Sequence, residues 1–106
     1  MARQVIWSFE AAADLEALAE FIGRDSPSYA AAFVQEILQA SHSLKEFSAR
    51  GRIVPEVDDP RIRELFVRGY RLIYDMGGSQ IIILGVIHGK RDLRGLWEEE
   101  QRGSQT

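Results

Sequence analysis

The chain has 106 residues, 45% of them hydrophobic and 27% charged, which fits one globular domain with a single core and excludes fibrous and disordered classes. It holds no cysteine, which excludes a disulfide framework and a thiolate metal site, and with only His42 and His88 to offer imidazole neither a metal nor a cofactor is expected. The net charge of −3 conceals an asymmetry: residues 1–49 carry three basic and seven acidic side chains, residues 50–94 nine and six.

Met1 to Trp7 reaches polar sequence too soon for a signal peptide, and no later stretch approaches membrane-spanning length. A cytoplasmic protein with no membrane contact is expected. Arg3–Trp7 reads as a short strand. Ser8 then caps a helix from Phe9 to about Ile22, with Ala11, Leu15, Leu18 and Ile22 on its core face and Glu10, Asp14, Glu16 and Glu20 on a solvated acidic face. Gly23-Arg24-Asp25 breaks this helix and Ser26-Pro27 starts a second one, running to about Phe47. Its stripe is Ala30, Phe33, Ile37, Ser41 and Leu44, and so short a connection makes the two helices an antiparallel hairpin.

Ser48–Pro60 reads as a loop with a short extended piece at Arg52-Ile53-Val54. Extended patterns follow over Arg61–Val67, Tyr70–Met76 and Gln80–Ile87. Gly77-Gly78 is expected to form a tight hairpin turn with positive φ. Ile81-Ile82-Ile83-Leu84-Gly85-Val86-Ile87 hardly alternates, so this last strand should be apolar on both faces and central. One or two helical turns are expected within Leu93–Glu100. The expected architecture is α+β: an N-terminal strand and an antiparallel two-helix hairpin packed on a small, mostly antiparallel sheet, one domain over residues 1–102 with a frayed tail at 103–106.

Several local phrases occur in order along nearly the whole chain. They are Ala11-Ala12-Ala13-Asp14-Leu15-Glu16, Asp25-Ser26-Pro27, Gly51-Arg52-Ile53-Val54-Pro55-Glu56, Ile62-Arg63-Glu64-Leu65-Phe66-Val67, Tyr70-Arg71-Leu72-Ile73-Tyr74 and Val86-Ile87-His88-Gly89-Lys90-Arg91-Asp92. Together they resemble the RelE/ParE superfamily of toxins, closest to the ParE branch. The resemblance implies the toxin of a type II toxin–antitoxin system that arrests growth and forms a hetero-oligomer with a small ParD-like antitoxin. Such a partner docks an extended or helical arm in an apolar groove or on a free strand edge. Trp7, Leu15, Leu18, Leu93 and Trp97 are the candidate antitoxin contacts, although most apolar residues in these elements are simply core.

Two targets are open within the resemblance. In ribonuclease members, which cut messenger RNA on the ribosome, two arginines act where this chain has Arg71 and Arg91, and both could clamp a phosphate bidentately. His88 could supply a general acid or base, or else merely cap the end of its strand. Yet Ile62 and Glu64 stand where that branch has two catalytic lysines, and Trp97 where it has a tyrosine. Glu56 and Glu64 are possible acids, though a carboxylate beside Arg61 and Arg63 also reads as a cross-strand ion pair. The favoured expectation is therefore inhibition of DNA gyrase by binding rather than by catalysis, with Arg71, Arg91, Leu93 and Trp97 on the target surface. A partner protein without activity of its own, such as a co-repressor, is the third reading. No ATP-binding loop is present, since Gly77-Gly78 and Gly85 lack the spacing of a phosphate cradle.

Overall fold

A computed structural model describes residues 3–95. Strand β1 spans Val5–Trp7, helix α1 Phe9–Gly23, α2 Pro27–Ser43, β2 Arg52–Ile53, β3 Ile62–Val67, β4 Tyr70–Asp75 and β5 Ile81–His88. The sheet order is β1-β5-β4-β3-β2, with β1 parallel to β5 and the other pairs antiparallel. The parallel pair requires a crossover, and the helical hairpin provides the start of it, covering one sheet face. The α+β arrangement expected from the sequence is the one observed.

Local chemistry sets the helix boundaries. The Ser8 hydroxyl accepts from the Ala11 N–H at 3.0 Å and the Ser26 hydroxyl from the Tyr29 N–H at 3.2 Å, with Pro27 in the first turn of α2. Helix α2 stops at Ser43, four residues before the expected end near Phe47. Ser41 and Ser43 turn their hydroxyls back onto the carbonyls of Leu38 and Ala40, and the Leu44 and Lys45 N–H groups bond three residues back, tightening the chain out of the α-helix. Leu44 nevertheless stays fully buried, so the stripe is satisfied by a turn instead of a helix.

The positive-φ turn lies at another hairpin. Arg68 and Gly69, between β3 and β4, have φ of 50° and 82°, as a two-residue mirror-image turn demands. Gly77 and Gly78 are not in the left-handed region; the longer β4–β5 connection does not need it. What Gly77 provides is space, because a Cβ there would lie 2.7 Å from Cδ of Arg61.

Strand β5 is interior and apolar on both faces, as expected. It carries a bulge: Tyr74 pairs with Ile83 and Ile73 with Gly85, leaving Leu84 as the inserted residue. The insertion restores the parity that lets Ile83 and Val86, three apart, both face the helices. There they join Ala11, Phe33, Ile37, Leu44, Leu72, Tyr74 and Ile81 in the main core. Each fully buried large aliphatic or aromatic side chain contributes about 1.5–3 kcal/mol before entropy is subtracted. A second, smaller cluster of Val54, Ile62, Ile73 and Leu93 lies on the opposite face.

Candidate functional site

Arg71 lies on β4, an interior strand, and strand alternation points it away from the helices: Leu72 and Tyr74 belong to the helix-side core, Ile73 to the opposite cluster. Its guanidinium is consumed by partners. Nε donates to Glu64 Oε1 at 2.6 Å, Nη2 to Glu56 Oε1 at 2.7 Å, and Nη1 to both Glu56 Oε2 at 2.7 Å and the Arg91 carbonyl at 2.8 Å. Glu64, fully buried, accepts at its other oxygen from Arg52 Nε at 2.7 Å. The result is a four-residue chain of alternating charge, Arg52, Glu64, Arg71, Glu56, running from the sheet edge to the loop after β2. No buried side-chain nitrogen or oxygen among the described residues lacks a partner.

The electrostatics follow from these contacts. Hydrogen bonds from Arg71, helped by the Leu93 N–H, hold the Glu56 carboxyl down at about 2, well below its ordinary value. The same pairing with Glu56, and then with Glu64, outweighs burial and raises Arg71 above its usual value. Both remain charged at every physiological pH.

This arrangement corrects two expectations. Arg71 is only 3% exposed, and its bidentate fork already holds a carboxylate, so it is not an open clamp for phosphate. Leu93 is 7% exposed, packed with Val54, Ile62 and Ile73, and so is not a free contact residue. The ribonuclease trio is not assembled either. His88 pairs with Tyr70, and its ring meets the Tyr70 ring edge-on at 5.5 Å between centroids on the helix side, whereas Arg71 faces the other way. His88 Nδ1 accepts from the Lys90 N–H at 3.2 Å, which fits the strand-end capping role. Arg91 is exposed at the end of β5, and its charge acts on Asp14 of α1. Trp97, most of the helix expected within Leu93–Glu100, and the tail at 103–106 lie outside the described residues.

Trp7 and Leu15 do come together. With Ala12, Ala19, Val34 and Leu38 they line an almost wholly apolar groove of about 380 Å³ between the hairpin and the sheet edge, with Glu16 at its rim. Leu38 on its wall is 47% exposed. Leu18, half-buried against the main core, does not line the groove.

Two anchoring residues escaped the sequence reading. Asp14, placed there on the solvated face, is half-buried and its Oδ2 accepts from the Val86 N–H at 3.1 Å, just beyond the bulge and where β1 no longer covers β5. The signal was its spacing: three residues after Ala11 and four before Leu18, it sits on the border of the apolar stripe. Tyr74 donates to the Ser48 carbonyl at 2.7 Å and accepts from the Gly51 N–H at 3.0 Å, fixing the loop that leads into β2. Gly51 is glycine because a Cβ would come within 2.6 Å of the Glu64 carbonyl.

Two helices packed against one face of a five-stranded mixed sheet that begins with an N-terminal strand is the fold of the RelE/ParE toxin superfamily. Residues 5–93 match the model of the ParE toxin of type II toxin–antitoxin systems, and the chain belongs to this family. Toxin RelE2 of Caulobacter vibrioides is 33% identical over 89 residues, covering 83% of this chain and 97% of that protein. A solved structure of the chromosomal ParDE toxin–antitoxin system from P. aeruginosa superposes with a TM-score of 0.67 at 24% identity, over 82% of this chain and 96% of that one, and shares the fold. No helix among the described residues is long and apolar enough to cross a membrane.

Proposed function

We propose that this toxin arrests growth by binding DNA gyrase, without cleaving RNA, and that a small ParD-like antitoxin neutralises it as a hetero-oligomer. The observation that carries the reading is the filled fork of Arg71. Cleavage of a phosphodiester needs an open cationic clamp with an acid and a base beside it; here the buried cation is matched by two carboxylates and the one nearby histidine is on the other face. Inhibition by binding needs only a presented surface. Arg91, with Lys90 and Arg94 beside it, is exposed at the end of β5, and we assign the gyrase contact to this segment. The antitoxin is assigned to the groove lined by Trp7 and Leu15, whose shape and apolar walls suit one face of an amphipathic helix.

Purified toxin should inhibit gyrase supercoiling and accumulate cleaved plasmid while leaving ribosome-bound messenger RNA intact, and Arg91→Ala should weaken the inhibition. RNA cleavage without gyrase inhibition would overturn this reading. Trp7→Ala should raise the Kd for the antitoxin by about tenfold or more, as loss of an aromatic anchor does, and leave gyrase inhibition unchanged.

A further inference from the structure

The segment after β5 hangs on one carboxylate. Glu56 Oε2 accepts from the Leu93 N–H at 3.0 Å as well as from Arg71, and the same Arg71 nitrogen that meets Glu56 donates to the Arg91 carbonyl at 2.8 Å. Among the described residues, the remaining hydrogen bonds of residues 90–94 are local: Lys90 N–H to His88 Nδ1, Arg91 N–H to the His88 carbonyl, and Arg94 N–H to Asp92. Among the described residues, the hydrogen bonds that tie this segment to the body of the protein thus run through the Glu56–Arg71 pair. The Leu93 side chain, seated in the small apolar cluster, is its one buried hydrophobic anchor.

The geometry constrains direction as well as distance. A carboxylate that receives both ends of a guanidinium fork is fixed in plane and rotation. The lone pair that remains on Oε2 then has a fixed direction, which the Leu93 N–H meets, while the second proton on the shared nitrogen meets the carbonyl two residues earlier. Arg91 and Leu93 are clamped on either side of Asp92, leaving the Arg91 side chain outward. A buried ion pair is a poor way to gain stability compared with an apolar replacement, so its value here lies in placement.

We propose that Glu56 is a positioning residue of the toxin: through Arg71 and the backbone of residues 91–93 it sets the attitude in which the exposed Arg91 is offered to the target. The inference rests on the gyrase reading for its functional arm, but not for its structural one. Glu56→Leu should speed hydrogen exchange at the Leu93 amide by about tenfold or more while the amides of β4 and β5 keep their protection. It should raise the half-inhibitory concentration against gyrase supercoiling by a similar factor, and Glu56→Gln, which keeps one acceptor, should fall between it and the wild type. Arg71→Lys retains the charge but cannot span both Glu56 oxygens and the Arg91 carbonyl, so it should repeat the effect if Glu56→Leu fails to fold. A Leu93 amide that stays protected in both variants overturns the proposal, as does a loss of inhibition that tracks a global fall in protection. If wild-type protein leaves gyrase unaffected, the target reading fails, and the exchange result still decides whether Glu56 places the segment.

Discussion

On the helix side of the sheet, Phe33, Ile37, Leu72, Tyr74, Ile81 and Ile83 are fully buried and the face is almost wholly apolar. On the other side, Val54, Ile62, Ile73 and Leu93 share a smaller patch with Glu64 and Arg71, which are 1% and 3% exposed. The first face is held by burial, which is non-directional and tolerant of small shifts. The second is held by directed bonds among charges, which lose much of their Coulombic gain to desolvation and keep their geometry in return. The molecule therefore carries its stability on one face and its most closely specified surface segment on the other.

The largest effects should separate these two kinds of interaction. Phe33→Ala should cost about 3–5 kcal/mol through lost transfer energy and an unfilled cavity. Arg71→Met should cost a similar amount, about 3–5 kcal/mol, because it strands Glu56 and leaves the buried Glu64 with Arg52 alone. The two should part when the neighbours are also changed. Adding Glu56→Leu and Glu64→Leu to Arg71→Met should recover most of the loss, whereas no second truncation in the helix-side core should rescue Phe33→Ala. Urea unfolding with the slope monitored measures both series. If the triple variant is no more stable than Arg71→Met alone, the back face is an ordinary core and the contrast fails.

What the sequence made legible divides along the same line. Ala11, Phe33, Ile37 and Leu44 were readable from helical spacing, and the unbroken run at Ile81–Ile87 marked a strand buried on both faces, because burial writes itself as local periodicity. The ionic chain could not be read in this way. Glu56 and Arg71 are fifteen residues apart and meet across a loop, and nothing local tells a solvated arginine from one whose fork is filled. Arg71 and Leu93 were for this reason expected at a surface. A partial signal was present, since a charged residue in the middle of Tyr70–Asp75, an interior strand, must be matched by an opposite charge. The groove itself was legible, because a helical hairpin on a sheet leaves one beside it, and Trp7 and Leu15 line it.

An intermediate effect tests the loop that brings Arg52 to Glu64. Tyr74→Phe keeps the ring in the main core and removes only the hydroxyl that bridges Ser48 and Gly51. With the buried Gly51 N–H left unpaired, the cost should be about 1–3 kcal/mol. The ring contacts of the helix side are untouched, so the damage should appear as faster amide exchange at residues 48–52 while α2 stays protected.

The smallest effect is the most discriminating, because the two faces should titrate in opposite directions. Glu56, on the back face, has its folded value depressed from 4.5 to about 2 by Arg71. Its stabilisation is complete above 4.5 and lost as pH falls towards 2. Asp14, on the helix side, is raised above 3.8 by burial, against the opposing pull of the Val86 N–H and Arg91. The folded state therefore binds the proton more readily than the unfolded chain there, and stability declines as pH rises from 3.8 through the raised folded value. Asp14→Asn keeps an acceptor for the Val86 N–H without burying a charge, so it should change stability at neutral pH by no more than about 1 kcal/mol. It should also abolish that decline, while Glu56→Gln should abolish the rise at lower pH and leave the decline in place. Urea midpoints across the acid range measure both limbs. Should both variants alter the same limb, the charges on the two faces are coupled through the sheet, and the division between a stability face and a placement face would have to be given up.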